Sequence, residues 1–431
     1  MEAIRVDFSQ QINGTIQVPG SKNSALALLA AACLTDEAVT LTGIPNIADF
    51  RVICKMGEDI GLKINRDISG IVYVNPEDIH STEFDPIKSS SFRTAYYFVG
   101  ALIAKYGKVT VGYPGGDDFV SRPIDQHIKA LEMLGASFSF YENYYTVEAN
   151  ELKGATIYFD KITSGGTINA MLAAVRAKGM TVLLNAARDP EVIDTAILLN
   201  KMGAKVTGAG TDTIRISGVE RLNGCTHQVI PDRLIAGAFL IAAGVTGGKV
   251  TVTDVIPEHL KSCIAKMREV GIQIDISDSS VTASSNGPLK ASRIRTGMYP
   301  AFPTDLQQPM TTLFTQAQGK SIVSEKVYPN RFNHVGQLRK MGADIKVRSG
   351  VAFIKGATEL KGAVVSASDI RAGISLILAG MVAKGQTYIT GVEHIERGYE
   401  DVVAAFQSLG VTIDKVDLSK ERHDLLLEEI Q

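Results

Sequence analysis

The chain has 431 residues, a formal net charge of −2, 45% hydrophobic and 21% charged residues. That length exceeds what one hydrophobic core carries, so two domains are expected. The balanced charge excludes a global field for nucleic acid or membrane, the longest apolar runs fall short of a bilayer span, and no charged segment followed by an apolar run opens the chain as a signal peptide would.

In chain order the elements repeat. SALALLAAACL reads as an apolar helix, followed by the helix IADFRVICKMGEDI and the strand pattern IGLKI. From Ser91 the order returns in full: a polar start, SSSFR, then a helix, TAYYFVGALIAKYG, stopped by its glycine. KVTVGY alternates and is β-branched, as a strand is, and PGGDD is a loop. RPIDQHIKALEML places Ile124, Ile128, Leu131 and Leu134 on one helical face, and LGASFSFYENYYTVEA reads as strand, turn, strand. The later copies carry the helix pairs TINAMLAAVRA with EVIDTAILLNKM, RLIAGAFLIAAG with EHLKSCIAKMREV, QPMTTLFTQAQ with RFNHVGQLRKM, and IRAGISLILAGMVA with GYEDVVAAFQSL. Each copy ends in a cluster around a glycine (Gly61, Gly135, Gly203, Gly271, Gly342, Gly410), at steps of 68 to 74 residues.

A fixed period means one supersecondary unit used repeatedly. The fold class is therefore α/β, built from helix–strand–helix–strand–strand units in two domains of three. The split falls near Pro231, giving 21–230 and 231–419, the latter with residues 1–20. The first helix of each unit is apolar nearly all round and should be buried; the second has a polar face and should lie outside. The charged tail 420–431 reads as a solvated terminal helix. Cys33, Cys54, Cys225 and Cys263 show no metal-type pairing and read as reduced, mostly buried thiols of a cytoplasmic protein.

Basic residues recur at the helix starts. First helices begin at Lys22, Arg93, Arg233 and Arg371; second helices begin near Arg122, Arg188, Arg331 and Arg397. Positive charge there opposes the helix dipole. A single arginine is best explained by a neighbouring acid; several at equivalent places point to a shared anion, held by helix N–H groups and bidentate guanidinium pairing. Arg188 and Arg233 are the weakest members, open to salt bridges between repeats. Acids are sparse at these positions. Asp305, in FPTDLQ, reads either as part of an N-cap with Thr304 or as a base beside the anion. Asp117 and Asp118 sit either at a solvated loop tip or on a mobile lid over 113–122 that carries an acid. His127 and His394 are read as satisfied polar residues.

PGSKNSAL, LNAARDPEVID, GAGTDTIRISGVERL, YPAFPTDLQ, NRFNHVGQLRKMGA, SASDIRAG and HIERGYE together resemble the UDP-N-acetylglucosamine enolpyruvyl transferases over residues 1–415. The resemblance implies the enolpyruvyl transferase fold, two inside-out α/β barrel domains with a cleft that closes on substrate. It implies transfer of the enolpyruvyl group of phosphoenolpyruvate to the 3-hydroxyl of UDP-N-acetylglucosamine with release of phosphate, the first committed step of peptidoglycan synthesis, without metal or organic cofactor. By motif, Lys22, Asn23, Arg122, Arg331, Arg371 and Arg397 correspond to contacts of phosphoenolpyruvate. Asn23, Arg93, Arg122, Pro123, Ile124, Asp125, Gln126, Lys161, Thr163, Ser164, Gly165, Asp305 and Val327 correspond to contacts of the sugar nucleotide. The resemblance makes Asp305 the carboxylate beside the acceptor hydroxyl and implies catalytic roles for Asp117, Lys22, Asp305 and Arg397.

Three departures stand out. Asp117 replaces the lid cysteine common in the family, so fosfomycin, whose epoxide is opened by a thiolate, is not expected to inactivate this chain. Tyr97 stands where many relatives have tryptophan, and Gln126 where an apolar residue is common. Transfer to another nucleotide, RNA end-processing and a non-catalytic sugar-nucleotide-binding paralogue are the rival readings. Balanced charge, with no aromatics interleaved among the arginines, weighs against the RNA reading.

Overall fold

The computed structural model describes residues 1–9, 11–90, 93–115 and 123–420. They form two compact units: Met1–Val18 with the chain from Pro231 onward, and Pro19–Ile230. Each unit has its own hydrophobic core and three small sheets.

In each repeat the first helix forms the centre. Lys22–Ala32, Tyr96–Tyr106 and Ser164–Ala174 serve one unit; Arg233–Thr246, Gln307–Gln316 and Ile370–Val382 serve the other. In the second set each helix packs on the other two, and in the first set Tyr96–Tyr106 packs on both neighbours. The centre has no water-facing side, which is why SALALLAAA carries no polar stripe: Ser24 to Ala32 are all buried. The sheets lie outside the helices, so the arrangement is inside-out. The second helices cover the sheets with one apolar face; in Lys261–Val270 the buried positions are Cys263, Ile264, Met267 and Val270, the spacing of a single stripe.

The common plan is a sheet of three strands from one repeat with a short edge from the repeat before it. Met180–Leu184 pairs antiparallel with Thr213–Ser217 and, on its other side, runs parallel to Thr156–Tyr158. Thr226–Gln228, at the end of the third repeat, runs parallel to Val39–Thr42 of the first, so that ring closes head to tail. In the sheet of Lys108–Gly112, Tyr144–Glu148 and Ser137–Phe140, the edge is reduced to one bridge between Glu83 and Thr110.

The sixth repeat departs from the expected order. It supplies Thr387–Thr390 and Ile413–Asp417, and the strand between them is Glu2–Val6 from the start of the chain. Asn13–Gln17 then runs parallel to Lys249–Thr253 as the edge of the fourth repeat's sheet. The N-terminal segment is thus the missing third strand of a circular set, and Pro19–Ile230 follows its second strand as an insertion. The six repeat glycines all have φ between 85° and 104°, the left-handed region in which a side chain is strained. At Gly61 a Cβ would also lie 2.3 Å from the Asp78 carbonyl oxygen. The predicted terminal helix lies outside the described residues from 421 on.

All four cysteines are free thiols. Burial pushes Cys33, Cys54 and Cys263 up to about 12, so at neutral pH they stay protonated. No helix among the described residues is long and apolar enough to cross a membrane.

Candidate active site

In Pro19–Ile230 the candidate residues sit at helix starts, as the repeat alignment predicts. Lys22 is the first residue of its central helix, capped by Ser21, whose hydroxyl accepts from the Ser24 amide at 3.4 Å. The Lys22 ammonium lies 2.9 Å from Asp49, with side chains 14% and 5% exposed. Asp49 is in the first turn of the outer helix Ala48–Asp59, where a carboxylate also complements the helix dipole. Asn23 is half-buried beside it. The next residue, Ser24, donates to Asp194, which also bonds His227 Nε2 at 2.8 Å.

Arg93 opens the turn Arg93–Ala95 before its central helix, and its guanidinium lies 5.6 Å from the Tyr96 ring. That ring meets His127 edge-on at 4.5 Å. Its hydroxyl abuts Gly165, where a Cβ would come within 2.6 Å. One aromatic side chain therefore gathers Arg93, His127 and Gly165. Thr163 caps Ser164–Ala174 by accepting from the Gly166 amide at 3.1 Å, and the first-turn amides of Ser164 and Gly165 remain at an anion-favouring helix start. Pro123 and Asp125 are exposed and Ile124 half-buried at the start of Asp125–Met133; Lys161 is exposed.

Gln126 has a structural task that its side chain explains. Its carbonyl oxygen accepts from the Asp160 amide at 2.8 Å, and its nitrogen donates to Asp125 at 2.9 Å and to Asp160 at 3.4 Å. It ties the outer helix to the segment leading into Lys161 and Thr163. Tyr97 is a core residue, 5% exposed and edge-on to Tyr96 at 4.7 Å. Burial, then Tyr96, raises its phenol well above the ordinary value.

In the other unit the site is a charge cluster. Asp305, in the turn Thr304–Leu306 before its central helix, accepts from Arg331 Nη1 at 2.6 Å and from Arg371 Nε at 3.3 Å. The arginine side chains are 5% and 6% exposed and Asp305 is 26% exposed. Burial works against charge on both guanidinium groups, yet Asp305 with its anionic neighbours lifts both above the usual arginine range. Arg331 precedes the outer helix Asn333–Lys340, which packs on Ile370–Val382, the helix that bears Arg371. Asp369 caps that helix, accepting from the Arg371 and Ala372 amides at 2.9 and 3.0 Å. Val327 is half-buried in the loop that leads to Arg331.

The profile of the family described as EPSP synthase (3-phosphoshikimate 1-carboxyvinyltransferase) matches residues 6–406. The chain belongs to this carboxyvinyltransferase family. It is similar to UDP-N-acetylglucosamine 1-carboxyvinyltransferase 2 of Bacillus cereus, at 46% identity over 98% of both chains. The protein of that name from Geobacillus kaustophilus is 45% identical over the same shares. Among solved structures it resembles the enolpyruvyl transferase NikO of Streptomyces tendae, with a TM-score of 0.87, 21% identity, and coverage of 96% of this chain and 99% of that one. This last likeness is one of fold.

For a carboxyvinyltransferase the structure revises several sequence expectations. Arg397 does not begin an outer helix: it ends the short helix Val392–Glu396, where positive charge suits the dipole. Acids are not sparse at the central helix starts. Asp232 and Asp369 precede Arg233 and Arg371 as N-caps, so the dipole has its negative group one residue before each arginine. Arg188 takes its bland role, 3.5 Å from Asp212 at the surface. Arg233 lies 5.3 Å from the Tyr299 ring. Asp117, Asp118 and Arg122 lie outside the described residues. Sequence reasoning missed Asp49, Asp194, Asp232, Asp369 and Glu325; an Asp immediately before a basic helix start was the available signal for two of them.

Proposed function

We propose that this chain transfers the enolpyruvyl group of phosphoenolpyruvate to the 3-hydroxyl of UDP-N-acetylglucosamine, releasing phosphate, as a cytoplasmic step of peptidoglycan synthesis. The observation that carries this reading is Asp305 held between two buried arginines, in a chain 46% identical to a carboxyvinyltransferase of that acceptor. A carboxylate next to cations is what joining an alcohol to a phosphorylated carboxylate requires.

In the first half of the reaction the hydroxyl oxygen bonds to C2 of phosphoenolpyruvate and a proton is added at C3. Asp305 takes the hydroxyl proton. Asp117 is the proposed acid for C3, a role that demands a carboxyl kept protonated by desolvation or by substrate anions. In the second half a C3 proton leaves, the C2–O bond to phosphate breaks and the double bond returns. Lys22, Arg122, Arg331, Arg371 and Arg397 balance the phosphate and carboxylate charge. Asn23, Arg93, Arg122, Pro123, Ile124, Asp125, Gln126, Lys161, Thr163, Ser164, Gly165, Asp305 and Val327 are the proposed sugar-nucleotide contacts.

The test is phosphate release from phosphoenolpyruvate with and without UDP-N-acetylglucosamine. Release is expected only with the sugar nucleotide. Release with UMP or shikimate 3-phosphate, and none with UDP-N-acetylglucosamine, overturns the acceptor assignment.

A further inference from the structure

We propose that Glu325 is a positioning residue for the Asp305–Arg331 pair. It follows the strand Gly319–Ser324 and is 1% exposed. A buried carboxylate is costly unless its lone pairs are met, and here four donors meet them. Oε1 accepts from Thr296 Oγ1 at 2.6 Å, the Val327 amide at 2.8 Å and the Tyr328 amide at 2.9 Å; Oε2 accepts from Thr304 Oγ1 at 2.9 Å.

Three of these donors lie on stretches that carry candidate site residues. Thr304 adjoins Asp305. Val327 is itself a candidate sugar contact. Tyr328 accepts the Arg331 amide at 2.9 Å through its carbonyl, and its ring lies 5.9 Å from the Arg331 guanidinium. Glu325 thus joins the turn bearing Asp305 to the loop bearing Val327 and Arg331.

The direction of one hydrogen bond makes the role specific. Thr304 has a single hydroxyl proton. A carboxylate can only accept, so that proton points at Glu325 Oε2 and a lone pair is left for Arg331 Nη1, 3.2 Å away. The same Nη1 donates to Asp305 Oδ1 at 2.6 Å. The order Glu325, Thr304, Arg331, Asp305 is therefore a polarised chain that aims the guanidinium. In Glu325→Gln the amide oxygen stays where three donors converge, and the amide nitrogen takes the place of Oε2. Thr304 must then accept from that nitrogen, and its proton, no longer held by a carboxylate, turns to one of the two remaining directions, one of which faces Arg331. The fixed direction of the Thr304–Arg331 bond is thereby lost, and the bond weakened, while volume and burial barely change.

This inference rests on the proposed carboxyvinyl transfer, and the experiment separates the two. Glu325→Gln, Thr304→Val and the double variant are measured for melting temperature, kcat and the KM of each substrate. Glu325→Gln should melt within a few degrees of the parent yet lose about tenfold or more in kcat/KM for phosphoenolpyruvate, the size of one charged hydrogen bond. Sugar-nucleotide affinity without phosphoenolpyruvate should change less than about threefold, because the Val327 and Tyr328 amide bonds persist. The double variant should be no slower than the slower single, since both cut one link. Native kcat/KM in a folded Glu325→Gln, or losses that multiply in the double variant, overturn the proposal. If Glu325→Gln does not fold, Thr304→Val at the half-buried turn carries the same test. A parent without turnover overturns the functional reading instead. Positioning is then decided by a crystal structure of Glu325→Gln: Arg331 Nη1 beyond hydrogen-bond distance of Thr304 Oγ1 supports it, and an unmoved pair overturns it.

Discussion

Arg331 and Arg371 are nearly buried, and both turn a donor to Asp305, which is 26% exposed. Two cations so placed repel each other, and the bridging carboxylate is part of what makes their burial tolerable. An incoming phosphate or carboxylate must therefore share these cations with Asp305, and its approach loosens Asp305 toward the hydroxyl it is proposed to deprotonate. Asp305→Asn removes the competing charge at almost constant shape. We expect three effects: a lower melting temperature without anions, binding of inorganic phosphate about tenfold tighter than in the parent, and turnover reduced by at least about a hundredfold, the usual size of a lost general base. Calorimetric titration with phosphate decides the point. Equal affinity in the two proteins means that Asp305 and the anion do not compete.

Central helices such as RLIAGAFLIAAG and IRAGISLILAGMVA were legible in the sequence because a helix enclosed on all sides is apolar nearly all round; Gln307–Gln316 is the exception, burying Gln307, Gln308, Thr311, Thr312 and Thr315. The outer helices were legible by their single stripe. Edge strands such as Thr226–Gln228 and Arg293–Arg295 were not, because three residues show no period and the open sheet edge beside them decides their state. Arg371 could be recognised by its place in the repeat; its pairing with Asp305, 66 residues away, could not, since that pairing depends on how neighbouring repeats pack. The caps lay between these cases. Asp232 accepts from the Leu234 and Ile235 amides at 2.9 and 3.0 Å, which is the signature of a side-chain cap in front of a basic residue. If capping is its main task, Asp232→Ala should lower unfolding stability by about 1–2 kcal/mol and Asp232→Asn by much less, because asparagine caps about as well. Urea unfolding of the two variants distinguishes them, and an Asn variant as weak as the Ala variant assigns the effect to charge beside Arg233 and Arg371.

At the scale of the whole molecule, each unit holds a buried histidine that folding keeps neutral. His127 is pushed down to about 3 by burial and then by Arg93, with Asp125 opposing. His334, 0% exposed, is pushed down to about 3 by burial and then by Arg331. The hydrogen bonds around His127 agree. The Gly100 amide donates to Asn169 Oδ1 at 2.7 Å, so the Asn169 nitrogen is the group facing His127 Nδ1 at 3.2 Å, and that ring nitrogen must accept. A proton there would set two donors face to face. The folded pKa lies below the unfolded value of about 6.5, so between pH 6.5 and 3 the unfolded chain binds protons that the folded chain refuses. The stability is fully present above about pH 6.5 and is lost as pH falls, at about 1.4 kcal/mol per pH unit for each histidine. Melting temperature should therefore be nearly level from pH 8 to 7 and fall below 6.5. His334 has neither ring nitrogen hydrogen-bonded and its ring stacks 6.3 Å from Phe332, so phenylalanine can replace it without stranding a partner. His334→Phe should melt close to the parent at pH 7.5 and above it at pH 5.5. A variant that loses stability with acid as steeply as the parent would show that His334 is not a source of the acid limb.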